Sequence, residues 1–227
     1  MAVVTILDLN AGRPNSGVSA IRQAVAETGH EAVVVDVRGG DALPEAPEAI
    51  VATGGPGSPH EPGGWQTPFR RCLRSAVLRD TPLLAICYSF QVLSSELGAR
   101  VQKLEHRRMG IFPMRRTQDG TEDSWLAASG GEVFEMRGWG VWRGDLKVLA
   151  TGAEGDTTAA RFGDHAVGCV FHPEAEPFSV SAWLDVPDNQ AMLGRLDGTP
   201  SPEDMREAAP RLVDVREALL AGFLRGL

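Results

Sequence analysis

One stretch constrains this chain more than any other: Pro82-Leu83-Leu84-Ala85-Ile86-Cys87-Tyr88-Ser89-Phe90-Gln91. Residues 82–86 are apolar without alternation, the pattern of a strand buried on both faces, and such strands belong to parallel sheets covered by helices. A helix from Ser89 to Leu97 follows at once, closed by Gly98, which can take the left-handed conformation at a C-terminal cap. Cys87 thus sits on a tight strand-to-helix turn, projecting into the crevice at the carboxyl ends of parallel strands, where a helix N-terminus favours the thiolate. A buried structural cysteine is the alternative reading of this segment alone.

The rest of the N-terminal half repeats the pattern. Residues 3–8 read as a strand, the Gly/Pro/Asn/Ser-rich loop 10–17 leads to a helix from Ser16 or Gly17 to about Thr28, and Gly29 ends it. Ala32–Val37 and Ile50–Thr53 read as strands, and Phe69–Leu78 as a helix. Strands alternating with helices predict an α/β protein with a parallel sheet. From Val101 to Val170 the apolar runs shorten, predicting a strand-rich region with strands at 110–116, 133–136, 147–151, 158–162 and 166–171 and turns at Asp119-Gly120, Gly130-Gly131 and Gly163-Asp164. Two amphipathic stretches, 201–208 and 210–224, read as helices within a C-terminal extension of about 187–227, which can cover a sheet edge, the default, or close the pocket or form an oligomer interface. With no internal repeat or low-complexity linker, the chain is expected to form one domain, 1–227.

Two further segments carry chemistry. Val167–Phe171 is an apolar strand ending in His172-Pro173-Glu174. Proline biases its predecessor toward extended backbone, where residues i and i+2 point the same way, so Glu174 can orient His172 while the other ring nitrogen faces a thiol. A structural histidine is the alternative. The loop Thr53-Gly54-Gly55-Pro56-Gly57 follows a strand, and its glycines allow close backbone approach and present amide N–H groups to a developing oxyanion. It lacks the lysine and Ser/Thr of a phosphate loop.

These segments, in this order, resemble the class I (triad-type) glutamine amidotransferases, similar to the stand-alone GMP-synthase-like amidotransferase domain. The family elbow G-x-C-x-G-x-Q is matched by Ala85-Ile86-Cys87-Tyr88-Ser89-Phe90-Gln91, its H-P-E by residues 172–174 and its G-G-P-G by residues 54–57. The resemblance implies a three-layer, flavodoxin-like fold with a mostly parallel central sheet and a small additional β-rich region. It implies Cys87 as nucleophile, His172 as base and Glu174 as orienter, the backbone N–H groups of Gly55 and Tyr88 as oxyanion donors, and Gln91 and Gly54 at the glutamine pocket. The sequence departs from the pattern twice. Ala85 and Ser89 replace the elbow glycines, which predicts overpacking unless neighbours shrink. Where the family carries a Ser-His-x-Asp-like substrate contact, this chain has Phe134–Arg143; there Arg137, beside Gly138, can face an α-carboxylate and Trp139 or Trp142 can wall a pocket, or the arginine is surface and the tryptophans core.

The implied activity is glutamine γ-amide hydrolysis through a cysteine thioester, without metal or organic cofactor, supplying ammonia to a separate acceptor-activating synthase chain. A stand-alone γ-glutamyl hydrolase and a weakly catalytic or non-catalytic binding subunit are the alternatives. With 22 basic and 30 acidic residues the net charge is −8, which offers no general attraction to nucleic acid or anionic membranes. The basic cluster at Arg107, Arg108, Arg115 and Arg116 reads as solvated surface or a docking face. The N-terminus does not read as a signal peptide, no stretch is long and apolar enough for a membrane helix, and the three cysteines, 72, 87 and 169, lack metal-ligand spacing or even pairing. A reducing cytoplasm is the expected location.

Overall fold

A computed structural model describes residues 1–10, 17–61, 63–129, 131–142, 144–196 and 198–227. Strands β1 (Val3–Asp8), β2 (Glu31–Asp36), β3 (Ala49–Ala52) and β4 (Leu83–Ile86) alternate with helices α1 (Val18–Glu27), α2 (Gln66–Leu78) and α3 (Tyr88–Glu96). Then come β5 (Arg100–Pro113), β6 (Arg115–Arg116), α4 (Gln118–Glu122), β7 (Glu132–Trp142), β8 (Lys147–Thr151), β9 (Thr157–Arg161) and β10 (Ala166–Cys169). Helices α5 (Pro177–Leu184), α6 (Pro187–Leu193), α7 (Pro202–Ala208), α8 (Leu212–Val215) and α9 (Gly222–Arg225) end the chain, with a π-helical stretch, Arg216–Ala221, joining the last two.

The central sheet runs β2-β1-β3-β4-β10-β9-β8-β6. Its first five strands are parallel and the last three continue antiparallel. Strands β5 and β7 form a separate antiparallel ribbon. Period-two alternation divides the apolar residues between two cores. Val4, Ile6, Val51, Leu84, Ile86 and Val167 pack with Ile21, Ala24 and Val25 of α1. Leu7, Ile50, Ala52, Leu83 and Ala85 pack on the other face with Phe69, Leu73 and Ala76 of α2 and with α3. Each β1–β4 connection therefore leaves its loop at the carboxyl edge of the sheet, where crevices form. Among the described residues no helix is long and apolar enough to cross a membrane.

The sequence-predicted strands and helices of the N-terminal half are present within a few residues, and Gly29 and Gly98 take positive φ behind α1 and α3. Ser16, Gly130 and Arg143 lie outside the described residues. Three expectations need correction. Asp119-Gly120 is not a turn but part of α4, capped by Thr117; glycine is needed there because an added Cβ would lie 1.9 Å from the Leu149 carbonyl oxygen. The ribbon strands β5 and β7 are much longer than 110–116 and 133–136, because charged residues on their exposed side interrupt the alternation that marks a half-buried strand. The C-terminal extension does not cover a sheet edge. Val215, Leu219, Leu220 and Leu224 join the α1-side core, while α5–α7 pack on Met109, Ile111 and Phe134 of the ribbon.

Candidate active site

Cys87 occupies the junction of β4 and α3 with φ 50° and ψ −104°. A non-glycine residue held at positive φ costs on the order of 1–3 kcal/mol and persists only where its surroundings over-determine it. They do here: its N–H donates to the Cys169 carbonyl on β10 (2.7 Å), and its carbonyl accepts from Gln91 N–H (3.0 Å) as the first helical bond of α3. The side chain is nearly buried at the helix N-terminus, with Sγ 3.7 Å from the Met136 carbonyl oxygen.

His172 follows β10, and its N–H donates to the Phe134 carbonyl (2.8 Å), fastening the end of the central sheet to the ribbon. Its Nδ1 lies 2.8 Å from Oε1 of Glu174, which is buried. Burial opposes a charge on this imidazole, but the Glu174 carboxylate and then Cys87 outweigh it and hold its pKa well above the ordinary 6.5. Nε2 is buried without a hydrogen bond of ordinary geometry among the described residues, although the Cys87 thiol lies close enough to contribute to the raised pKa. Glu174 fits against the start of α1 only because residue 17 is glycine: at φ 78° its missing Cβ would stand 2.6 Å from Glu174 Cγ. The carboxylate so placed meets the positive end of a helix dipole.

The glycine loop brings these groups together. A Cβ on Gly54 would lie 2.9 Å from His172 Cε1 and 3.2 Å from Cys87 Cβ, so only glycine lets the loop run beside both, and one on Gly55 would meet Leu9 Cβ at 2.8 Å. The Gly54 carbonyl accepts from Asn10 Nδ2 and Thr53 Oγ1, both at 3.0 Å. In a planar trans peptide the N–H opposes the C=O, so these two bonds also aim the Gly55 N–H. Tyr88 opens α3, where first-turn N–H groups have no helical acceptor, and its ring is fixed by Gln66 Nε2 on its hydroxyl (3.0 Å).

Two cavities meet at Cys87. The larger, about 380 Å³, runs past Gly54, His172 and Glu174 to Phe134, Val180 and Trp183, with α5 as its far wall. The smaller, about 300 Å³, lies over Gln91, Arg137, Gly138 and Trp139. Gln91 donates to the Trp139 carbonyl (3.1 Å), tying α3 to the ribbon. The Arg137 side chain is fully buried between Glu135 and Asp156, each 2.7 Å away, and although burial disfavours its charge the two carboxylates raise its pKa. Trp139 packs edge-on to His60, its ring centroid 5.3 Å away.

A family model for class-I glutamine amidotransferase matches residues 14–180. The chain belongs to that family. It is similar to the glutamine-hydrolysing GMP synthases of Thermomicrobium roseum, at 33% identity over 138 residues covering 57% of this chain and 24% of the relative. The GMP synthase of Thermus thermophilus is 30% identical over 142 residues, covering 59% and 26%. The matches thus span about a quarter of the length of these relatives. A crystal structure of a glutamine amidotransferase from Thermotoga maritima superposes with TM-score 0.82 at 18% identity, covering 99% of this chain and 97% of that one. One from Methylobacillus flagellatus gives 0.81 at 18%, covering 100% and 93%. Both carry the fold: an α/β protein with a large, mostly parallel central sheet and a small antiparallel one.

Within this family, the two elbow departures have local answers. The Ser89 hydroxyl is buried but donates to the Thr53 carbonyl (2.6 Å), bridging α3 to the glycine loop. Ala85 faces Gly168 across the β4–β10 register, and a Cβ on Gly168 would lie 3.2 Å from Ala85 Cβ and 2.7 Å from Phe90. The Ala85 methyl is thus accommodated because residue 168 on the neighbouring strand is glycine. Sequence reasoning missed Asn10, Gly17, Met136 and Arg107. Asn10 follows a strand at the carboxyl edge, a signal that could have found it; Arg107 lies in a charged run indistinguishable from surface.

Proposed function

We propose that this amidotransferase hydrolyses the γ-amide of glutamine through Cys87, with His172 as acid and base and Glu174 as its orienter. The single observation that carries the reading is the buried His172–Glu174 pair (2.8 Å) beside a cysteine at positive φ on a helix N-terminus. The thiolate attacks the γ-carbonyl carbon, and the backbone N–H groups of Gly55 and Tyr88 receive the oxyanion. As the C–N bond breaks, His172 gives its proton to the leaving nitrogen and ammonia departs, leaving a γ-glutamyl thioester. His172 then takes a proton from water, whose oxygen attacks the thioester; glutamate leaves and the thiolate returns. The raised pKa of His172 suits the first half, since a charged imidazole holds the proton that ammonia needs.

By its similarity to glutamine-hydrolysing GMP synthases, of which it matches about a quarter, this chain supplies ammonia to a separate acceptor-activating synthase chain. Purified protein given glutamine is then expected to release glutamate and ammonia in equal amounts, more quickly with that partner, and not at all as Cys87→Ser. A second reading, a γ-glutamyl hydrolase with a bulkier leaving amine, is favoured by the larger cavity, whose apolar walls at Phe134, Val180 and Trp183 exceed what ammonia needs. Turnover of γ-glutamyl amides of apolar amines in preference to glutamine, without a partner, selects it.

A further inference from the structure

The sequence offered Arg137 as the residue to face a substrate α-carboxylate, but its charge is already matched by Glu135 and Asp156. Next to it Arg108 is also committed, to Glu135 at 3.0 Å and to the face of Phe112. Arg107 differs. The β5–β7 register runs to Lys103↔Trp139 and resumes at Arg108↔Arg137, so four residues, 104–107, oppose the single residue Gly138. Bulges of this kind re-aim side chains beside active sites. This one lays Arg107 across Gly138, where an added Cβ would stand 3.7 Å from Nε and 3.8 Å from Cγ.

Arg107 lines both cavities, on the ridge between them, together with Cys87. It is exposed and makes no ion pair or hydrogen bond among the described residues. The smaller cavity is lined by Lys103, Arg107 and Arg137 and by no Asp or Glu. With Arg137 already paired, Lys103 and Arg107 remain as a local pair of cations, in a chain of net charge −8, on the cavity that Cys87 also lines. A γ-glutamyl group attacked at its γ-carbonyl carbon carries a carboxylate at the other end of a short chain, and a guanidinium's planar fork is the side chain best matched to it.

We propose that Arg107, presented by the β5 bulge, is the specificity residue that binds the α-carboxylate of the γ-glutamyl substrate, with Lys103 supporting it. This rests on the reading of Cys87 as the γ-glutamyl nucleophile. The site selects γ-linked amides that keep a free α-carboxylate and discriminates against the same amides without one.

The test is the rate of Cys87 alkylation by a chloroketone built on the glutamine skeleton, by its analogue lacking the α-carboxylate, and by iodoacetamide. Loss of a charge-assisted contact predicts that Arg107→Ala slows the carboxylate-bearing reagent ~10- to 100-fold and leaves the other two unchanged. Arg107→Lys recovers part of the rate, and Lys103→Ala has a smaller effect in the same direction. A residue that only supports the ribbon would slow all three reagents alike, which overturns the proposal. So does an Arg107→Ala protein that keeps the wild-type preference for the carboxylate, an outcome that leaves the glutamine reading standing. If wild-type Cys87 reacts no faster with the glutamine-shaped reagent than with iodoacetamide, the glutamine reading fails and this proposal with it.

Discussion

Burial disfavours a charge on His172, but the Glu174 carboxylate, with Cys87, raises its pKa on folding. The pKa of His172 is raised on folding, so its protonation contributes stability that is fully present below the unfolded value of 6.5 and is lost as pH rises through the folded value. Glu174→Gln removes the carboxylate opposing burial, so the decline in urea midpoint from pH 6 upward is expected to flatten in that variant. An unchanged slope would assign the charge to another cause. Ser89 makes a second residue-scale prediction. Its hydroxyl is fully buried on the Thr53 carbonyl, and Ser89→Ala leaves that carbonyl short of a donor, at a cost of about 1–3 kcal/mol in denaturant unfolding.

At the scale of elements, the strand-to-helix junctions were legible because a fully apolar run followed by a helix has few other solutions. The strand ending in His172-Pro173-Glu174 was legible for the same reason, and β10 does lie beside β4 with its register set by Gly168↔Ala85. The ribbon was not. Residues 102–108 carry Gln102, Lys103, Glu105, His106, Arg107 and Arg108, and nothing in a charged run tells a solvated face from a bulge over a cavity. The fit of Ala85 against Gly168 was equally hidden, since it is a relation between strands distant in sequence. It predicts that Gly168→Ala, which would press on Phe90 and the Ala85 carbonyl, destabilises by about 1–3 kcal/mol. Ala85→Gly in that background would relieve only part of it, because the carbonyl contact remains.

Across the whole molecule, the last helices join the N-terminal half rather than standing apart from it. Leu219, Leu220 and Leu224 are buried against α1 and the sheet, and α1 begins where Glu174 is seated. Leu220→Ala is therefore expected to cost about 2–5 kcal/mol, read as a lower urea midpoint. The layers place the β1, β3 and β4 loops and the end of β10 at one edge, which is why residues as far apart in sequence as Asn10, Gly54, Cys87 and His172 line one cavity. The most direct measurement of the central claim is glutamate and ammonia release from glutamine, or from a γ-glutamyl amide, by the wild type and by Cys87→Ser. Equimolar product from the wild type and none from the variant is the predicted result; release that survives the loss of the thiol would contradict the account.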